Sequence, residues 1–464
     1  MLQNRNAFCN CGSGLKIKNC CGSLKAKPPV PISNILPLKN SISHNNMLPF
    51  DNLVFRLLEK GNIPQAEKYL RILLAKEPNN SSALNFIGWI SCALGLYEMA
   101  IIYFERARRS LAQWSLPVEN IKIIKKHLEG SDLNENFIGP KNNIDKYILI
   151  RAWGCGFWSD VFHVIGCLLI AEISGRVPIV YWGENSLFTG NTDENAFSCY
   201  FEEFYNLGVD DIRCKNFSYY PPKWNADNLK SKELNLWHGP YSRVAGMYLL
   251  NRKENVVIGD FYVDVEDVIP WINPANHLFD LGKDEIYRYI IGKYLQPSAT
   301  VKDRVDVFLN KNFDDRNFIA VHIRGSDKAV EVSNFKQSLY ELNGDYKKLI
   351  DNEVSLDPCL KIFLMTDDIN ILDEYFGYYG DRIVFTDCTR TNDLQGVHYK
   401  PLSDKVNLGL EVMTDVYIAS NAKIFLGNEF SNVSRIVRYL KNWPDKNLRL
   451  LGGEGHVNLL IHDW

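Results

Sequence analysis

Arg324 is the residue whose type and position point most directly to chemistry, because it follows a predicted buried strand, Phe318–Ile323. A guanidinium stays charged in proteins, and its planar fork can hold a diphosphate through two hydrogen bonds. Asp327 could orient this guanidinium or accept a hydrogen bond from a ribose, and Gly325 would let the backbone approach a ligand. The alternative interpretation is a surface ion pair between Arg324 and Asp327.

Paired carboxylates follow the predicted strand Ile362–Met365, where Thr366 is succeeded by Asp367 and Asp368. Carboxylate oxygens at this place could accept hydrogen bonds from a base or a ribose. They could also cap the helix that follows, since Asp is favoured at helix N-termini. The two interpretations are compatible, and the sequence leaves both open.

A helix N-terminus follows the predicted strand Lys423–Leu426. Apolar residues recur at helical spacing between positions 433 and 440, and Ser431 or Asn432 would cap this helix. The N–H groups at a helix start, together with a hydroxyl, are suited to binding a phosphate. This segment is therefore a further candidate for an anion site.

A glycine-containing loop, residues 153–160, leads from the predicted strand Tyr147–Ile150 into an apolar helix. Backbone N–H groups at that helix start could face an anion or an acceptor. The loop has neither GxGxxG nor GxxxxGK[ST], which argues against a dinucleotide-dependent oxidoreductase and a P-loop NTPase. Cys155 lies in the loop, but no nearby base is visible that would make it a nucleophile.

A second kind of chemistry is metal binding near the N-terminus. Residues 8–22 read FCNCGSGLKIKNCCG and contain Cys9, Cys11, Cys20 and Cys21. Thiolates this close together match tetrahedral Zn²⁺ ligation, and metal binding would supply the folding free energy of so short a segment. The alternative is a set of unligated or oxidised thiols. The pattern CxCGSGxxxKxCC resembles the SEC-C zinc motif, which implies a structural zinc ion and a docking surface.

The elements that must position these residues are short apolar runs separated by helical patterns. Continuous apolar runs are typical of parallel strands that are covered on both faces. We therefore predict an α/β fold with two facing Rossmann-like domains, residues 145–300 and 301–464, with ligands at the carboxyl ends of the strands. The predicted strands are Tyr147–Ile150, Val177–Trp182, Val256–Ile258, Phe318–Ile323, Ile362–Met365, Ile383–Phe385 and Lys423–Leu426.

Three other segments precede this region. Residues 1–24 hold the zinc motif, and residues 25–48 contain four prolines and read as a linker. Residues 49–135 show helical periodicity and a repeat of 34 residues, in which Ala66 recurs as Ala100. The repeat resembles tetratricopeptide repeats, in which small residues let two helices approach closely. It predicts either a peptide-binding groove or a helical hairpin that packs on the next domain.

Composition and charge exclude several classes of protein. The 464 residues are 46% hydrophobic and 23% charged, which excludes a mainly disordered or fibrous chain. Lys and Arg number 52 and Asp and Glu 55, so nothing supports a nucleic-acid partner or a polybasic membrane surface. No uninterrupted apolar stretch reaches about 18 residues, and no secretory signal pattern is visible. We therefore expect a cytoplasmic protein without a membrane span.

Taken in order, four blocks of the sequence resemble motifs of the protein O-fucosyltransferases and α1,6-fucosyltransferases. They are GFWSDVFHVIGCLLIAEISGRVPIVYW from residue 156, FIAVHIRGSDK from residue 318, LMTDD from residue 364 and LGLEVMTDVYIASNAKIFLGNEFSNVSR from residue 408. The resemblance implies a GT-B type fold, GDP-fucose as donor, and an inverting reaction that needs no metal. At one position the chain departs from the α1,6 enzymes, because Gly325 stands where they carry a second arginine.

The resemblance also implies roles for individual residues. Arg324 would bind the β-phosphate and stabilise the leaving diphosphate, and Glu331 would be the catalytic base. The residues implied in donor binding are Gly156, Phe157, Ser159, His322, Arg324, Asp327, Thr366, Asp368, Asp415, Ser431 and Asn432.

The functional expectation is thus a glycosyltransferase that moves fucose from GDP-fucose to a protein or glycan hydroxyl. The zinc motif and the helical repeats would recruit a protein acceptor or partner. Two alternatives remain open. One is a transferase that uses a different GDP-sugar or a UDP-sugar, and the other is an inactive, transferase-like adaptor.

Overall fold

In the computed structural model of the protein, two parallel β-sheets follow one another along the chain. The structure describes residues 49–128, 146–232, 254–325 and 339–452, apart from short gaps inside these ranges. Within them the first sheet has four strands and the second has five. The strands are β1 Tyr147–Arg151, β2 Val177–Tyr181, β3 Tyr219–Tyr220, β4 Val256–Gly259, β5 Phe318–His322, β6 Lys361–Met365, β7 Ile383–Val384, β8 Ile424–Asn428 and β9 Leu448–Leu451.

Both sheets have a crossover in their strand order. The first has the order β2-β1-β4-β3 and the second β7-β6-β5-β8-β9, and the paired strands run parallel. In the first sheet, β2 lies on one side of β1, and β4 and β3 lie on the other. In the second sheet, β6 and β7 lie on one side of β5, and β8 and β9 lie on the other. We call the β1/β4 boundary the first switch point and the β5/β8 boundary the second switch point. Ligands of open α/β sheets bind outside the carboxyl ends of the strands at such points.

Helices connect and cover these strands. In chain order they are α1 Pro49–Glu59, α2 Ile63–Lys76, α3 Ser81–Ala93, α4 Tyr97–Ser110, α5 Leu116–Leu128, α6 Phe157–Ser174, α7 Phe197–Tyr200, α8 Val265–Val268, α9 Lys283–Tyr294, α10 Ala299–Asn312, α11 Leu339–Leu356, α12 Ile369–Tyr379, α13 Lys405–Ser420 and α14 Asn432–Leu440. Short 3₁₀ helices lie at Val209–Ile212, Gly380–Arg382 and Asp445–Asn447.

Helix α6 runs through the core next to the first sheet. It contacts β1, β2, α8, α9 and α14, and most of its side chains are fully buried. By length and composition alone it could cross a membrane, but 78% of it is buried inside the protein. A mainly apolar helix that is buried in this way is a core helix.

Helices α1–α5 form a helical segment with a hydrophobic core of its own, in which Ala66 and Ala100 are completely buried. Buried Arg106 of α4 ties this segment to the α/β region, because it donates to the main-chain oxygen of Ile269 and lies 4.8 Å from the ring centre of Phe279. Ile173, at the end of α6, also packs on the helical core. The segment therefore docks near the end of α6 that is remote from the first switch point.

These observations confirm the predicted α/β class, since every predicted strand overlaps an observed one. The short strands β3 and β9 are additions that the sequence did not indicate. The domain limits, the GT-B arrangement and the tetratricopeptide assignment stay predictions. The zinc motif of residues 1–24 and the linker of residues 25–48 lie outside the described residues.

Candidate functional site

The second switch point brings together three of the polar segments that the sequence singled out. Strand β5 pairs with β6 on one side and with β8 on the other, so the residues after these three strands are neighbours at one edge. They are Arg324 after β5, Thr366–Asp368 after β6, and Ser431–Asn432 after β8. Helix α14 begins here, and the first N–H groups of a helix lack intrahelical acceptors and carry partial positive charge.

Arg324 is held by a carboxylate from the adjacent strand end. Its Nη1 lies 2.5 Å from Oδ2 of Asp367, and the two side chains are only 18% and 15% exposed. Asp367 Oδ1 also accepts the backbone N–H of Gly325 at 3.0 Å. The orienting carboxylate is therefore that of Asp367, whereas the sequence suggested Asp327. A charged group oriented in this way is suited to stabilising a diphosphate.

Gly325 is required by the close approach of β5 and β6 beyond their ends. A Cβ atom at position 325 would lie 2.5 Å from Cβ of Asp368, closer than real Cβ contacts. Asp368 is itself fixed as the N-cap of α12, where its side chain accepts the N–H of Asn370 at 2.8 Å. Thr366 is buried beside it, and Thr366 Oγ1 accepts the N–H of Asp368 at 3.2 Å. The capping interpretation of Asp368 is thus confirmed, and its role toward a ligand stays a prediction.

His322 lies at the second switch point, between the end of β5 and helix α14. Its Nδ1 is 2.7 Å from Oγ of Ser434, which also accepts the N–H of Asn428 at 3.1 Å. Burial and the neighbouring charge of Arg324 lower the pKa of His322 to about 3, so the ring is neutral at pH 7. In this position His322 ties β5, β8 and α14 together beneath the site.

Asp415 lies on α13 and belongs to a polar group next to the loop that follows β7. Thr386 Oγ1 donates to Asp415 Oδ1 at 2.6 Å. Burial raises the pKa of Asp415 to about 6, against the lowering effect of this hydrogen bond and of Arg390. Thr391, later in the same loop, donates its N–H to the main-chain oxygen of Asp367 at 2.8 Å. The loop thus connects Asp415 to the edge that carries Arg324.

The two switch points meet through one hydrogen bond. Asn432, the first residue of α14, donates from Nδ2 to Oγ of Ser159 at 2.8 Å, and Ser159 lies in the first turn of α6. Arg435 Nη1 donates to Asn432 Oδ1 at 3.0 Å. Two residues that the sequence placed in donor binding, Ser159 and Asn432, are therefore in direct contact, although 273 positions separate them.

At the first switch point, a carboxylate from α6 occupies two N–H groups of the glycine loop. The expectation that the N–H groups at the start of α6 face an anion stays a prediction. Asp160 is completely buried, and its carboxylate accepts the N–H of Gly154 and of Cys155 at 3.2 Å each. Burial raises the pKa of Asp160 to about 7, although these backbone hydrogen bonds act in the opposite direction. Gly154 needs to be glycine because its φ is +93°.

Two other residues at the end of this loop serve the structure of helix α6 and of the core. Gly156 is the N-cap of α6, and the Phe157 side chain is buried, with 3% exposed. The Phe157 ring makes edge-to-face contacts with Trp158, Trp182, Phe188 and Tyr200. A ring packed in this way belongs to the core, which leaves only the backbone of Phe157 for a ligand. Their predicted part in donor binding stays untested.

Cys155 does not have the surroundings of a nucleophile, and the described part of the chain holds no cluster of metal-ligating side chains. Burial, aided by Asp160, raises the pKa of the Cys155 thiol to about 12, so it stays protonated. Within the described ranges no group of three or more His, Cys, Asp or Glu side chains could hold a metal ion. The predicted zinc ligands Cys9, Cys11, Cys20 and Cys21 lie outside those ranges, as do the predicted Asp327 and Glu331.

Sequence reasoning missed several residues that shape the site. Asp367 was noted only as one of a carboxylate pair, yet the strand order β6-β5 makes it the neighbour of Arg324. Asp160 stood in the quoted glycine loop and Ser434 in the α14 segment. Ser434 bonds with a residue of β5 that lies 112 positions away, so no local pattern could reveal that contact. Asp160 bonds with N–H groups of its own loop, but its residue type also fits an ordinary helix start. Arg435 gave no signal because the carboxylates that it faces lie after β4, far away in the sequence.

Comparison with known proteins gives matches only among solved structures. The NodZ α1,6-fucosyltransferase co-crystallized with GDP is 15% identical, with 64% of this chain and 92% of that chain covered and a TM-score of 0.45. NodZ from Bradyrhizobium is 15% identical, with 64% of this chain and 93% of that chain covered and a TM-score of 0.43. POFUT1 in complex with GDP-fucose is 14% identical, with 68% of this chain and 100% of that chain covered and a TM-score of 0.41. No family model and no curated protein sequence matches, and these TM-scores are too low for the likeness to assign a function.

Proposed function

We propose that the protein is a glycosyltransferase that binds the diphosphate of a nucleotide sugar at the second switch point. The observation that carries this proposal is Arg324, held by Asp367 at the carboxyl end of β5 and next to the N-terminus of α14. A fixed cation and a helix start on either side of a switch point provide two sources of positive potential for an anion. The motif resemblance supports GDP-fucose as the donor and a GT-B arrangement of the two sheets.

The mechanism follows from where charge develops. Transfer breaks the bond between the anomeric carbon and the diphosphate, so negative charge grows on the leaving oxygen. Arg324 stabilises that charge without moving, because Asp367 already fixes its guanidinium. The reaction is inverting and needs no metal, and Glu331 takes the proton of the attacking hydroxyl as general base. These last features rest on the family resemblance.

The remaining parts of the chain fit an accessory role in this proposal. The zinc motif with Cys9, Cys11, Cys20 and Cys21 and the tetratricopeptide-like helices recruit a protein acceptor in the cytoplasm. Because Arg106 fixes the helical segment to the α/β region, a bound acceptor would be held at a constant position relative to the fold.

The experiment is a panel of labelled donors with purified full-length protein, read by donor hydrolysis and by thermal shift. We expect a shift with GDP and GDP-fucose and slow release of fucose from GDP-fucose in the absence of an acceptor. Hydrolysis of UDP-GlcNAc or GDP-mannose instead would keep the transferase and replace the donor. Absence of any nucleotide effect would contradict the proposal and favour a non-catalytic adaptor.

A further inference from the structure

Arg435 lies on α14, in the half of the α/β region that contains the second sheet, but its guanidinium contacts the other half. Nη2 lies 3.8 Å from Asp264 Oδ2 and 3.7 Å from Glu266 Oε1, both just after β4. The guanidinium carbon is 4.5 Å from the ring centre of Phe162 on α6. The side chain is only 14% exposed. One arginine therefore spans from the second switch point to the end of the first sheet.

The carboxylates on the far side are themselves fixed. Tyr287 OH lies 2.8 Å from Asp264 Oδ1 and 2.8 Å from Glu266 Oε2, and Lys283 Nζ lies 3.5 Å from Glu266 Oε1. Burial alone would raise the pKa of Glu266, but the charges of Lys283 and Arg435 lower it to about 2. Glu266 is therefore ionised at pH 7, and two cations lie close to its carboxylate.

The closest polar contact of Arg435 is nevertheless with a residue of the candidate site. Its Nη1 donates to Asn432 Oδ1 at 3.0 Å, whereas its distances to the two carboxylates exceed those of direct hydrogen bonds. A guanidinium can only donate, so it fixes which end of the Asn432 amide is the oxygen. The amide nitrogen must then point to Ser159, as the 2.8 Å contact shows.

This orientation has a consequence for the Ser159 hydroxyl. Because Oγ accepts a hydrogen bond from Asn432, its own proton is available to donate elsewhere. Among the described residues, no acceptor lies in hydrogen-bond contact with that proton. The hydroxyl is partly exposed where the two switch points meet, next to the start of α14.

We propose that Arg435 is a positioning residue that acts through Asn432 to direct the Ser159 hydroxyl proton toward a phosphate oxygen of the nucleotide. This inference deepens the proposed function and rests on it. Its partners Asp264 and Glu266 hold the guanidinium from the first half of the α/β region. The donor site would then be assembled from both halves before any ligand binds, which lowers the ordering cost of binding.

The test compares GDP affinity and melting temperature in a small set of variants. Ser159→Ala removes the proposed donor, and Arg435→Lys keeps the charge but loses the planar fork. Ser159→Thr retains a hydroxyl and should rescue. Arg438→Lys is the matched control, since Arg438 lies on the same helix and pairs with Asp284 at 2.9 Å and Glu429 at 3.7 Å. Glu266→Gln removes one of the charges that hold the Arg435 guanidinium, and it takes the place of Arg435→Lys in the comparison if that variant does not fold.

We expect Ser159→Ala to weaken GDP binding about tenfold, as for loss of one hydrogen bond to a charged group. Arg435→Lys should weaken GDP binding about five- to tenfold. The double variant should bind GDP no more than about twofold more weakly than Ser159→Ala alone, because the two residues act through the same series of hydrogen bonds. Arg438→Lys should bind GDP like the wild type, and Ser159→Thr should recover most of the affinity that is lost in Ser159→Ala. Glu266→Gln should shift the affinity in the same direction by a smaller factor.

The outcomes separate this inference from the proposed function. If Arg435→Lys lowers only the melting temperature, or if its effect adds fully to that of Ser159→Ala, the positioning role is wrong. If Ser159→Ala and Arg435→Lys bind GDP normally while Arg324→Ala does not, this inference alone fails. If the wild type binds none of GDP, GDP-fucose, GDP-mannose and UDP-GlcNAc, the proposed function fails and the inference fails with it.

Discussion

The two switch points share one architecture but use their polar groups differently. At the first, Asp160 takes up N–H groups of the glycine loop, and the helix begins with Phe157 packed in an aromatic cluster. At the second, Arg324 stays partly exposed, and Ser431 makes no side-chain capping bond within the described residues. The strand order of the two sheets therefore provides two candidate sites, and the residues that follow the strands determine which of them can bind an anion.

The difference has an electrostatic cause. A buried carboxylate at the first switch point opposes the partial positive charge of the α6 N-terminus, so an incoming phosphate would meet a like charge when Asp160 is ionised. At the second, Asp367 is balanced by Arg324, and the start of α14 adds positive potential. We therefore expect variants of Arg324 at the second switch point to change function, and variants of Asp160 and Phe157 at the first to change mainly stability.

The largest effect is expected for Arg324→Ala. Removing a group aimed at the developing charge costs about 3 kcal/mol of transition-state stabilisation, or a hundredfold or more in turnover. Turnover of GDP-fucose and far-UV circular dichroism of the same sample check this prediction. Near-wild-type turnover would remove the central role of Arg324, and Arg438→Ala serves as a control that should keep full activity.

Asp160→Asn tests the structural role of the first switch point through pH. The pKa of Asp160 is about 7 in the folded protein, above its unfolded value, so its contribution to stability is present at low pH and is lost as pH rises through about 7. When the pH is raised from about 5 to about 8, the unfolding free energy of the variant should therefore increase relative to that of the wild type by about 2 kcal/mol or more.

Urea unfolding at both pH values measures this difference for Asp160→Asn. An equal stability difference at the two pH values would mean that Asp160 titrates normally and is not the buried group described above. GDP affinity, measured in parallel, should stay within about twofold of wild type because the Asp160 side chain bonds with the glycine loop and is not proposed to contact the diphosphate.

Gly325→Ala should disturb the second switch point by steric means. The added Cβ would meet Cβ of Asp368 at 2.5 Å, so the cap of α12 must shift. We expect a loss of about 1–3 kcal/mol in unfolding free energy and weaker GDP binding. Gly344→Ala is a matched control, since a Cβ there meets nothing within 4 Å. Unchanged stability and affinity for Gly325→Ala would contradict the close approach.

The smallest effect is expected for Phe157→Leu. Loss of the ring contacts with Trp182 and Phe188 should lower the unfolding free energy by about 1 kcal/mol. Thermal unfolding measures this loss, and isothermal titration with GDP should give the wild-type affinity. A large drop in affinity without a drop in stability would show that Phe157 serves the ligand and not the core.

The sequence predicted the parts of the fold that depend on local pattern. Strand Val256–Gly259 and the first four residues of strand Phe318–His322 are apolar throughout, as expected where both faces of a sheet are covered, and the sequence predicted both strands. Strand β9 reads Leu-Arg-Leu-Leu at a half-buried edge, so a charged residue interrupts the apolar run that would have marked it. Strand β3 has two residues, which is too short for any period to show.

The contacts of the candidate site depend on strand order, which local pattern does not contain. Arg324 was placed correctly at the end of a strand, but its partner became visible only when β6 was seen beside β5. In the same way, the pair Ser159–Asn432 joins residues 273 positions apart. The sequence did not reveal that the Asp160 side chain fills the glycine loop, because this residue reads as an ordinary helix-start carboxylate.

The most direct test of the central claim is a crystal structure of the protein with GDP. We predict oxygens of the β-phosphate about 2.7–2.9 Å from the Arg324 guanidinium, with the diphosphate facing the N-terminus of α14. A nucleotide bound where no phosphate oxygen reaches the Arg324 guanidinium would contradict the account.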